Sequence, residues 1–486
     1  MNKNLLILAL DGLSISLMKK LGLFDDEIFH DFNLKNVDAD LLARGWPEWI
    51  TGVSGYNINA LYNKPLGGND WNFTDNFGLK DYYKHNAKPI WEALNEIDLS
   101  VGLFGLPTTF PAPAVNGFCI SGSGAGFYQS FGIPKEAVYP SELLDEIELL
   151  GGLSPEIRFA NDGYTSKANY LKDEAKGFAR RSKLFIDLAK RHTTNVNIFF
   201  DKYFAHLAWI YMREIDLINK GELKCNQVLA EHLNIFRNSI RHMLEELKPL
   251  GVILVSDHGV QSRNYSVNMN DFLERAGLIK KAALYKRIKI SARQSARQFI
   301  PNRFHSKLAS KFPSGKSVGR IPGSGIYDSA ESLVFAVRYI PGIFINTNRF
   351  GGNVKSKDIH YLHELISNLV LKDQALANIG VKVDFSSMDS DMAKNLGKEF
   401  IPLTEPLGVF FEDSGDCVSK NKFLEKINDR VPRGSSMLTG IKQRDAIFGF
   451  WCSKDLMNFD ILIDSCSRLT HTHSATLNII RQIFKE

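Results

Sequence analysis

The chain has 486 residues, more than the roughly 250–300 residues that one hydrophobic core supports, so its length favours several domains or one large α/β domain with insertions. Hydrophobic residues make up 44% and charged residues 23% of the chain, which excludes a disordered or fibrous protein. The formal net charge is +5, but twelve Lys or Arg and no Asp or Glu lie between Lys280 and Arg320, so the positive charge belongs to one segment.

Apolar runs in the first half of the chain predict strands, and helical patterns lie between them. The predicted strands are Leu5–Leu10, Val101–Leu106, Asn197–Phe200 and Gly251–Val255, and the predicted helices include Lys88–Ile97, Lys176–Arg191 and Leu229–Leu247. Continuous apolar runs suit parallel strands that are buried on both faces of a sheet. The alternation therefore predicts an α/β fold, a doubly wound and mostly parallel sheet with helices on both faces.

The basic segment interrupts this alternation. Apolar residues at mixed spacing among its Lys and Arg predict one or two amphipathic basic helices, and a loop rich in Gly, Ser and Pro follows at 313–325. Further elements are predicted at Gly342–Asn346, Leu407–Phe411 and Ala446–Trp451 as strands and at Ser474–Lys485 as a helix. We therefore expect residues 1–279 and 326–486 to form one core, with 280–325 as a basic helical insertion or lid.

Polar residues follow three of the predicted strands directly. These residues are Asp11, Asp201 and the pair Asp257 and His258, and His206 lies five residues after Asp201. Ligands of open α/β sheets bind outside the carboxyl ends of the strands, where these side chains would meet. Carboxylates with imidazoles suit divalent metals, so the pattern predicts a metal site. The alternative is that each Asp caps a helix, and that His206 packs near Trp209.

Several motifs in the same order resemble the alkaline phosphatase superfamily, within its type I phosphodiesterase/nucleotide pyrophosphatase-like branch. The matching stretches are 8–12, with the first metal-binding Asp, 46–52 in the nucleophile region, 89–94, 101–111, 115–118, 255–259, 267–273, 342–346 and 440–450. The resemblance implies the fold of that superfamily and a site of two divalent metals. It also implies a Thr or Ser that attacks phosphorus and forms a covalent intermediate.

Carried over residue by residue, the resemblance assigns Asp11, Asp257 and His258 to one metal, and Asp201 and His206 to the other. The family usually places the last two residues four apart, and here they are five apart. The resemblance favours zinc, as one or two ions, with manganese and magnesium as alternatives.

Two positions depart from the family pattern. Gly45 stands where the alignment places the nucleophilic Thr, and Lys442 stands where a Gly-x-His motif supplies a metal-binding His. A protonated Lys has no lone pair for a metal, but it can supply positive charge where a cation would otherwise lie. The stretch up to Thr51 and Gly52 is also shorter than is usual in the family. If this shortened loop is reshaped, Thr51 is the candidate catalytic residue, with Ser54 as a second candidate. Thr51 also suits a structural role.

The lost metal ligand has two candidate replacements near the C-terminus, His471 and His473, which also suit a solvated helix entry. Taken together, the residues favour a metal-dependent phosphodiesterase or phosphohydrolase with an altered nucleophile. Its expected substrate is a phosphorylated or sulfated metabolite or a glycan. The alternative is a catalytically degenerate pseudoenzyme that binds or scaffolds.

The basic segment 280–320 suggests a surface for an anionic substrate, polymer or membrane, although a solvated amphipathic helix explains it equally well. Nucleic acid is disfavoured because the segment lacks aromatic platforms and a recognised module. The five cysteines are odd in number without a CxxC spacing, which argues against a disulfide framework or a thiolate zinc site. The apolar run before Asp11 is too short for a signal peptide or a membrane span. We therefore expect a cytoplasmic protein.

Overall fold

The computed structural model describes residues 4–62, 64–65, 72–74, 77–122, 133–157, 159, 162–224, 226–282, 319–320, 327–328, 330–387, 391–412, 415–432, 438–452 and 459–485. The chain forms two compact units. Unit 1 comprises Met1–Ala60, Phe77–Ser262 and Ile427–Glu486, and unit 2 comprises Leu61–Asn76 and Arg263–Lys426.

The strands and helices follow one another along both units. The strands are β1 Leu5–Leu10, β2 Asn33–Asp38, β3 Lys64–Pro65, β4 Asn72–Thr74, β5 Val101–Phe104, β6 Gly117–Ile120, β7 Val138–Tyr139, β8 Val196–Asp201, β9 Gly251–Val255, β10 Gly259–Ser262, β11 Tyr265–Asn268, β12 Gly319–Arg320, β13 Val334–Ala336, β14 Gly342–Ile345, β15 Phe400–Pro402, β16 Val409–Glu412, β17 Val418–Lys420, β18 Gly440–Gln443 and β19 Asp445–Cys452. The α-helices are α1 Ile15–Lys20, α2 Gly45–Thr51, α3 Leu79–Lys84, α4 Ile90–Asn95, α5 Leu143–Leu149, α6 Lys167–His192, α7 Tyr203–Asn219, α8 Gln227–Leu247, α9 Met269–Arg275, α10 Ile359–Lys372, α11 Gln374–Asn378, α12 Asp391–Leu396, α13 Asp460–Asp464 and α14 Leu469–Lys485. Short 3₁₀ helices lie at Lys135–Ala137, Asn348–Phe350, Ser356–Asp358, Phe385–Ser387 and Lys422–Leu424.

Unit 1 is built on an eight-stranded sheet with the order β2-β19-β9-β1-β8-β5-β6-β7. The five strands from β9 to β6 run parallel, while β2, β19 and β7 add antiparallel edges. β1, β8 and β9 are buried along their whole length, as the apolar runs within them predict. The predicted α/β fold with a mostly parallel sheet is confirmed.

Helices cover both faces of this sheet. Neighbouring side chains of a strand point to opposite faces, and β8 shows the consequence. The ring of Phe199 lies 5.0 Å from that of Phe185 on α6, whereas the ring of Phe200 lies 5.1 Å from that of Trp46 on α2. The long helix α6 therefore packs on one face and the short helix α2 on the other.

Unit 2 has its own sheets and its own core. β11 pairs in parallel with β16 and antiparallel with β17, and β14 lies between β13 and β15 in a second sheet. A third small sheet joins β12, β4 and β3. Val267, Ile343, Ile366 and Ile401 are fully buried members of one apolar cluster. These side chains give unit 2 an interior of its own.

The predicted boundaries at 279/280 and 325/326 both lie inside the Arg263–Lys426 segment of unit 2. Residues 326–426 belong to unit 2 together with 263–279, and only the chain from Ile427 onward returns to the large sheet. The reason is strand pairing, because β11, which precedes the basic segment, pairs with β16 and β17, which follow it. Residues 283–318 and 321–325 of the predicted basic insertion lie outside the described residues.

No helix in the described part of the chain is both long enough and apolar enough to cross a membrane. Four cysteines, at positions 119, 417, 452 and 466, are free thiols in the described ranges.

Candidate functional site

Three parallel strands bring acidic residues to one edge of the large sheet. Leu10 at the end of β1 pairs with Asp201 at the end of β8, and Ala9 pairs with Val255 at the end of β9. Asp11 follows β1 by one residue, and the backbone N–H of Asp11 donates to the carbonyl of Asp201 over 3.1 Å. The parallel register thus places the turns after β1, β8 and β9 side by side, as the sequence predicts.

Asp11, Asp257 and His258 form a compact group in these turns. Their relative exposures are only 3%, 4% and 1%. The His258 Nε2 atom lies 3.3 Å from Asp11 Oδ1 and 3.7 Å from Asp257 Oδ1. Within the described residues, this is the one trio of His, Cys, Asp or Glu whose ligand atoms all lie within 4.8 Å of one another. The structure therefore brings together three of the five predicted metal ligands.

The facing atoms of this group have the chemistry of a metal site. The His258 Nδ1 atom donates to the carbonyl of Gly259 over 2.8 Å, which leaves a lone pair on Nε2 of the neutral ring. That nitrogen and the Oδ1 atoms of Asp11 and Asp257 are buried without hydrogen-bond partners. Two carboxylates and one imidazole suit zinc and other divalent ions, so the residues fit such an ion.

Positive charge lies beside the same group. The Lys202 Nζ atom is 3.8 Å from Asp11 Oδ2, and the indole Nε1 of Trp46 donates to that oxygen over 3.4 Å. Burial raises the pKa of Asp11, but the ammonium groups of Lys202 and Lys442 and the adjoining His258 ring outweigh it, so this pKa lies well below its usual range. Burial raises the pKa of Asp257, and the Asp11 carboxylate raises it further. Lys442, on β18, thus lies within electrostatic reach of both carboxylates.

Asp201, a predicted metal ligand, forms an ion pair with Arg181. Both of its carboxylate oxygens accept from the Arg181 guanidinium of α6, from Nε over 2.7 Å and from Nη2 over 3.1 Å. Its Oδ1 also accepts from the backbone N–H of Tyr203 over 2.8 Å, at the start of α7. Asp201 is therefore a buried ion-pair partner that also caps a helix.

His206 lies on α7 between two buried glutamates. Its Nε2 is 3.6 Å from Glu156 Oε1, and its Nδ1 is 3.7 Å from Glu174 Oε1. Its ring centroid is 5.6 Å from that of Trp209, one turn further along the helix. Trp209 in turn stacks on the ring of His258, with centroids 6.3 Å apart. The packing of His206 near Trp209, one of the two sequence interpretations, is present.

Gly45 begins α2 directly beside the group of Asp11, Asp257 and His258. A Cβ atom at this position would lie 2.7 Å from Asp257 Cβ, 2.9 Å from the Asp257 carbonyl oxygen and 2.8 Å from Leu469 Cδ1. Real Cβ atoms do not approach other heavy atoms so closely, so the site has no room for any side chain here. The position aligned with the family nucleophile is next to the group, but it cannot supply a hydroxyl.

Thr51 lies at the opposite end of α2. Six residues separate it from Gly45, which is about 9 Å along a helix. Its Oγ1 donates to the Pro47 carbonyl over 2.8 Å and accepts from the backbone N–H of Val53 over 3.2 Å. The carbonyl of Ser54 accepts from Asn57 in the following turn. The contacts of Thr51 are thus those of a helix-terminating residue, and its catalytic role stays a prediction.

The two C-terminal histidines lie on α14. The Nδ1 atom of His473 donates to the Trp49 carbonyl over 2.8 Å, and burial lowers the pKa of this ring. His471 is exposed and its Nδ1 lies 3.1 Å from Ser467 Oγ. Neither histidine belongs to the trio of Asp11, Asp257 and His258.

Arg181 and Glu174 were not predicted from the sequence. They lie next to the predicted ligands, where Arg181 forms ion pairs with both Glu174 and Asp201. Both lie in α6 seven residues apart, so they share a face of the helix. Phe178 and Phe185 lie on that same face and are fully buried. Charged residues among the buried aromatic positions of an amphipathic helix are the signal that could have revealed them.

A comparison with known protein families matches residues 5–314 to type I phosphodiesterase/nucleotide pyrophosphatase. This range covers more than half of the 486 residues and contains the strands and turns that carry Asp11, Asp201 and Asp257. The chain belongs to this family. The resemblance expected from the sequence is therefore confirmed. The family description names hydrolysis of phosphodiesters and nucleotide pyrophosphates as its reaction class.

Two solved structures are similar to the chain at low identity. Phosphonoacetate hydrolase from Sinorhizobium meliloti 1021 in complex with phosphonoformate matches with a TM-score of 0.47 and 9% identity, covering 99% of this chain and 96% of the other. The same enzyme with phosphonoacetate matches with a TM-score of 0.46 and 8% identity over the same shares. A search of curated proteins gave no match.

Proposed function

We propose that the protein is a metal-dependent phosphoric ester hydrolase whose divalent ion is held by Asp11, Asp257 and His258. The observation that carries this proposal is the trio of buried, unpartnered ligand atoms, which face one another at the end of the sheet. Burying two carboxylates close together is costly unless a cation compensates them. A divalent ion would provide that compensation, with zinc as the proposed ion and manganese or magnesium as alternatives.

A bound divalent ion would act as a Lewis acid toward a phosphoryl oxygen and would lower the pKa of a water molecule bound to it. The chain's own contribution starts with the missing nucleophile. Gly45 has no side chain, so water is the nucleophile that we propose in place of the family's Thr or Ser. The absence of a Cβ at Gly45 lets α2 approach the backbone of Asp257 closely. Asp257 is thereby held against the first turn of α2.

The cations beside the group support an anionic substrate. Lys202 is largely buried and lies next to Asp11, and Lys442 influences both carboxylates from β18. In the proposed reaction these two ammonium groups offset the charge that builds up on the phosphoryl oxygens. The proposed substrates are phosphorylated or sulfated metabolites or glycans. We also propose a cytoplasmic location, which the free cysteines support. We further propose that segment 280–320 binds an anionic surface.

The alternative, a pseudoenzyme that uses the same fold for binding, has support in the loss of the nucleophile at Gly45. It makes a different prediction for turnover. An enzyme hydrolyses a phosphodiester, phosphomonoester or sulfate ester when loaded with metal. A pseudoenzyme retains the ion in the same group but turns over none of the three ester classes.

The test combines metal analysis with substrate assays on the purified chain. We expect bound zinc, turnover of at least one chromogenic ester, and loss of both in Asp257→Asn. Asp31→Asn is the matched control, because Asp31 is an exposed aspartate that pairs with the neighbouring His30. A wild-type protein that takes up none of the three metals would refute the proposal. Metal uptake without turnover of any ester would favour the pseudoenzyme.

A further inference from the structure

The residues matched to the second metal of the family surround an arginine. Arg181 is 1% exposed and lies on α6. Its Nε and Nη2 donate to the two oxygens of Asp201, its Nη2 also donates to Glu174 Oε1 over 2.8 Å, and its Nη1 donates to the Pro155 carbonyl over 3.3 Å. One guanidinium therefore satisfies two buried carboxylates at the same time.

The arrangement does not fit a second divalent ion. An ion bound by Asp201 would lie within a few ångströms of a guanidinium that is permanently charged, and in a buried site this repulsion is poorly screened. His206 does not join Asp201 either, since its two nitrogens face Glu156 and Glu174. Within the described residues, no trio that includes Asp201 or His206 brings its ligand atoms within 4.8 Å.

We propose that Arg181 takes the place of the second metal, so that the protein binds one divalent ion per chain, at Asp11, Asp257 and His258. The proposal rests on the proposed function in one respect, because it takes that trio as the metal site. Arg181 is a positioning residue: it holds Asp201, whose backbone bonds to Asp11 and whose carboxylate caps α7.

The planar guanidinium group of Arg181 explains how an arginine in place of a metal ion can hold the local structure together. Two parallel N–H donors match one carboxylate, and the remaining donors reach Glu174 and a backbone carbonyl. A lysine would retain the charge but not this geometry. A methionine would retain most of the volume and would leave Asp201 and Glu174 without their shared cation. Glu174 already lies 3.7 Å from His206 Nδ1, so with the guanidinium gone these two carboxylates and the imidazole could move together around a metal ion.

The stoichiometry of zinc binding tests the proposal, measured by elemental analysis after dialysis and by calorimetric titration. We expect one zinc per chain in the wild type and in His206→Gln, and none in Asp257→Asn. Two zinc ions in the wild type with one in His206→Gln would overturn the inference while leaving the proposed function intact. No zinc in the wild type would overturn the proposed function and, with it, the count of one.

Substitution of the arginine tests its role directly. We expect Arg181→Lys to bind one zinc, as the wild type does. We expect Arg181→Met to bind a second zinc ion and to gain thermal stability from added zinc more strongly than the wild type does. A folded Arg181→Met that still binds one zinc would show that the guanidinium is not what excludes the second ion. If Arg181→Met does not fold, the comparison of wild type and His206→Gln decides.

Discussion

Restoring a side chain at Gly45 is the most direct perturbation of the site. We expect Gly45→Ala and Gly45→Ser to be destabilised because the new Cβ would meet the Cβ and the carbonyl oxygen of Asp257 at 2.7 and 2.9 Å. The Leu469 methyl group at 2.8 Å can rotate away, but the backbone oxygen cannot. Overpacking of this kind costs about 1–3 kcal/mol. Reduced entropy of the unfolded chain would return about 0.4–1 kcal/mol of that cost.

The new Cβ would displace Asp257, which is a proposed metal ligand, so Gly45→Ala and Gly45→Ser should also bind zinc more weakly. Denaturant unfolding of the metal-free protein measures the first effect, and calorimetric titration with zinc measures the second. Gly78→Ala is the matched control, because Gly78 has a φ of −152° and a Cβ there would find only the Phe110 carbonyl oxygen, at 3.5 Å. We expect this control to change stability by less than about 1 kcal/mol.

A Gly45→Ser protein that unfolds like the wild type and keeps its zinc affinity would refute the predicted clash with Asp257. A covalent phosphoserine intermediate in Gly45→Ser, detectable by mass spectrometry after reaction with an ester, would refute it more directly. Such an intermediate would mean that the turn before α2 has room for the family nucleophile. The site would then lack only a hydroxyl group.

Two further variants probe the surroundings of the site. Burial raises the pKa of Glu48 to about 7 from the ordinary 4.5, so the folded state holds a proton that the unfolded state releases between these values. The free energy of unfolding of the wild type therefore falls as the pH rises from 4.5 to 7, because the buried carboxyl group resists losing its proton. Glu48→Gln has no proton to lose here, so in denaturant unfolding it should be more stable than the wild type by up to about 3 kcal/mol above pH 7. An advantage that does not change between pH 4.5 and 7 would contradict this. Lys442→Met should tighten zinc binding and weaken inhibition by inorganic phosphate, each by about fivefold, or about 1 kcal/mol, and least at high salt. Lys190→Met, which loses an exposed ion pair with Glu246, is its control, and an equal effect of both would refute a local role for Lys442.

Much of the fold was predictable because local sequence and burial agree in the parallel strands. β1 and β9 have the predicted bounds, since strands covered on both faces are apolar throughout and end where the first polar residue appears. The predicted helix at 176–191 begins at Lys167 in the structure, because Ser166 caps it with its side chain. The division into units was not predictable in this way, because it depends on β11 pairing with strands more than 140 residues later.

Residue types and strand order were enough to predict which carboxylates reach the end of the sheet. Asp11, Asp257 and His258 follow parallel neighbouring strands, and chain order with strand polarity is enough to place them together. The partner of Asp201, in contrast, depends on how the helices pack. Its partner Arg181 comes from a helix twenty residues earlier, and the choice between a metal and a guanidinium depends on which cation the packing of α6 brings within hydrogen-bond distance. That distance is a property of packed side chains, which residue types and spacing do not encode.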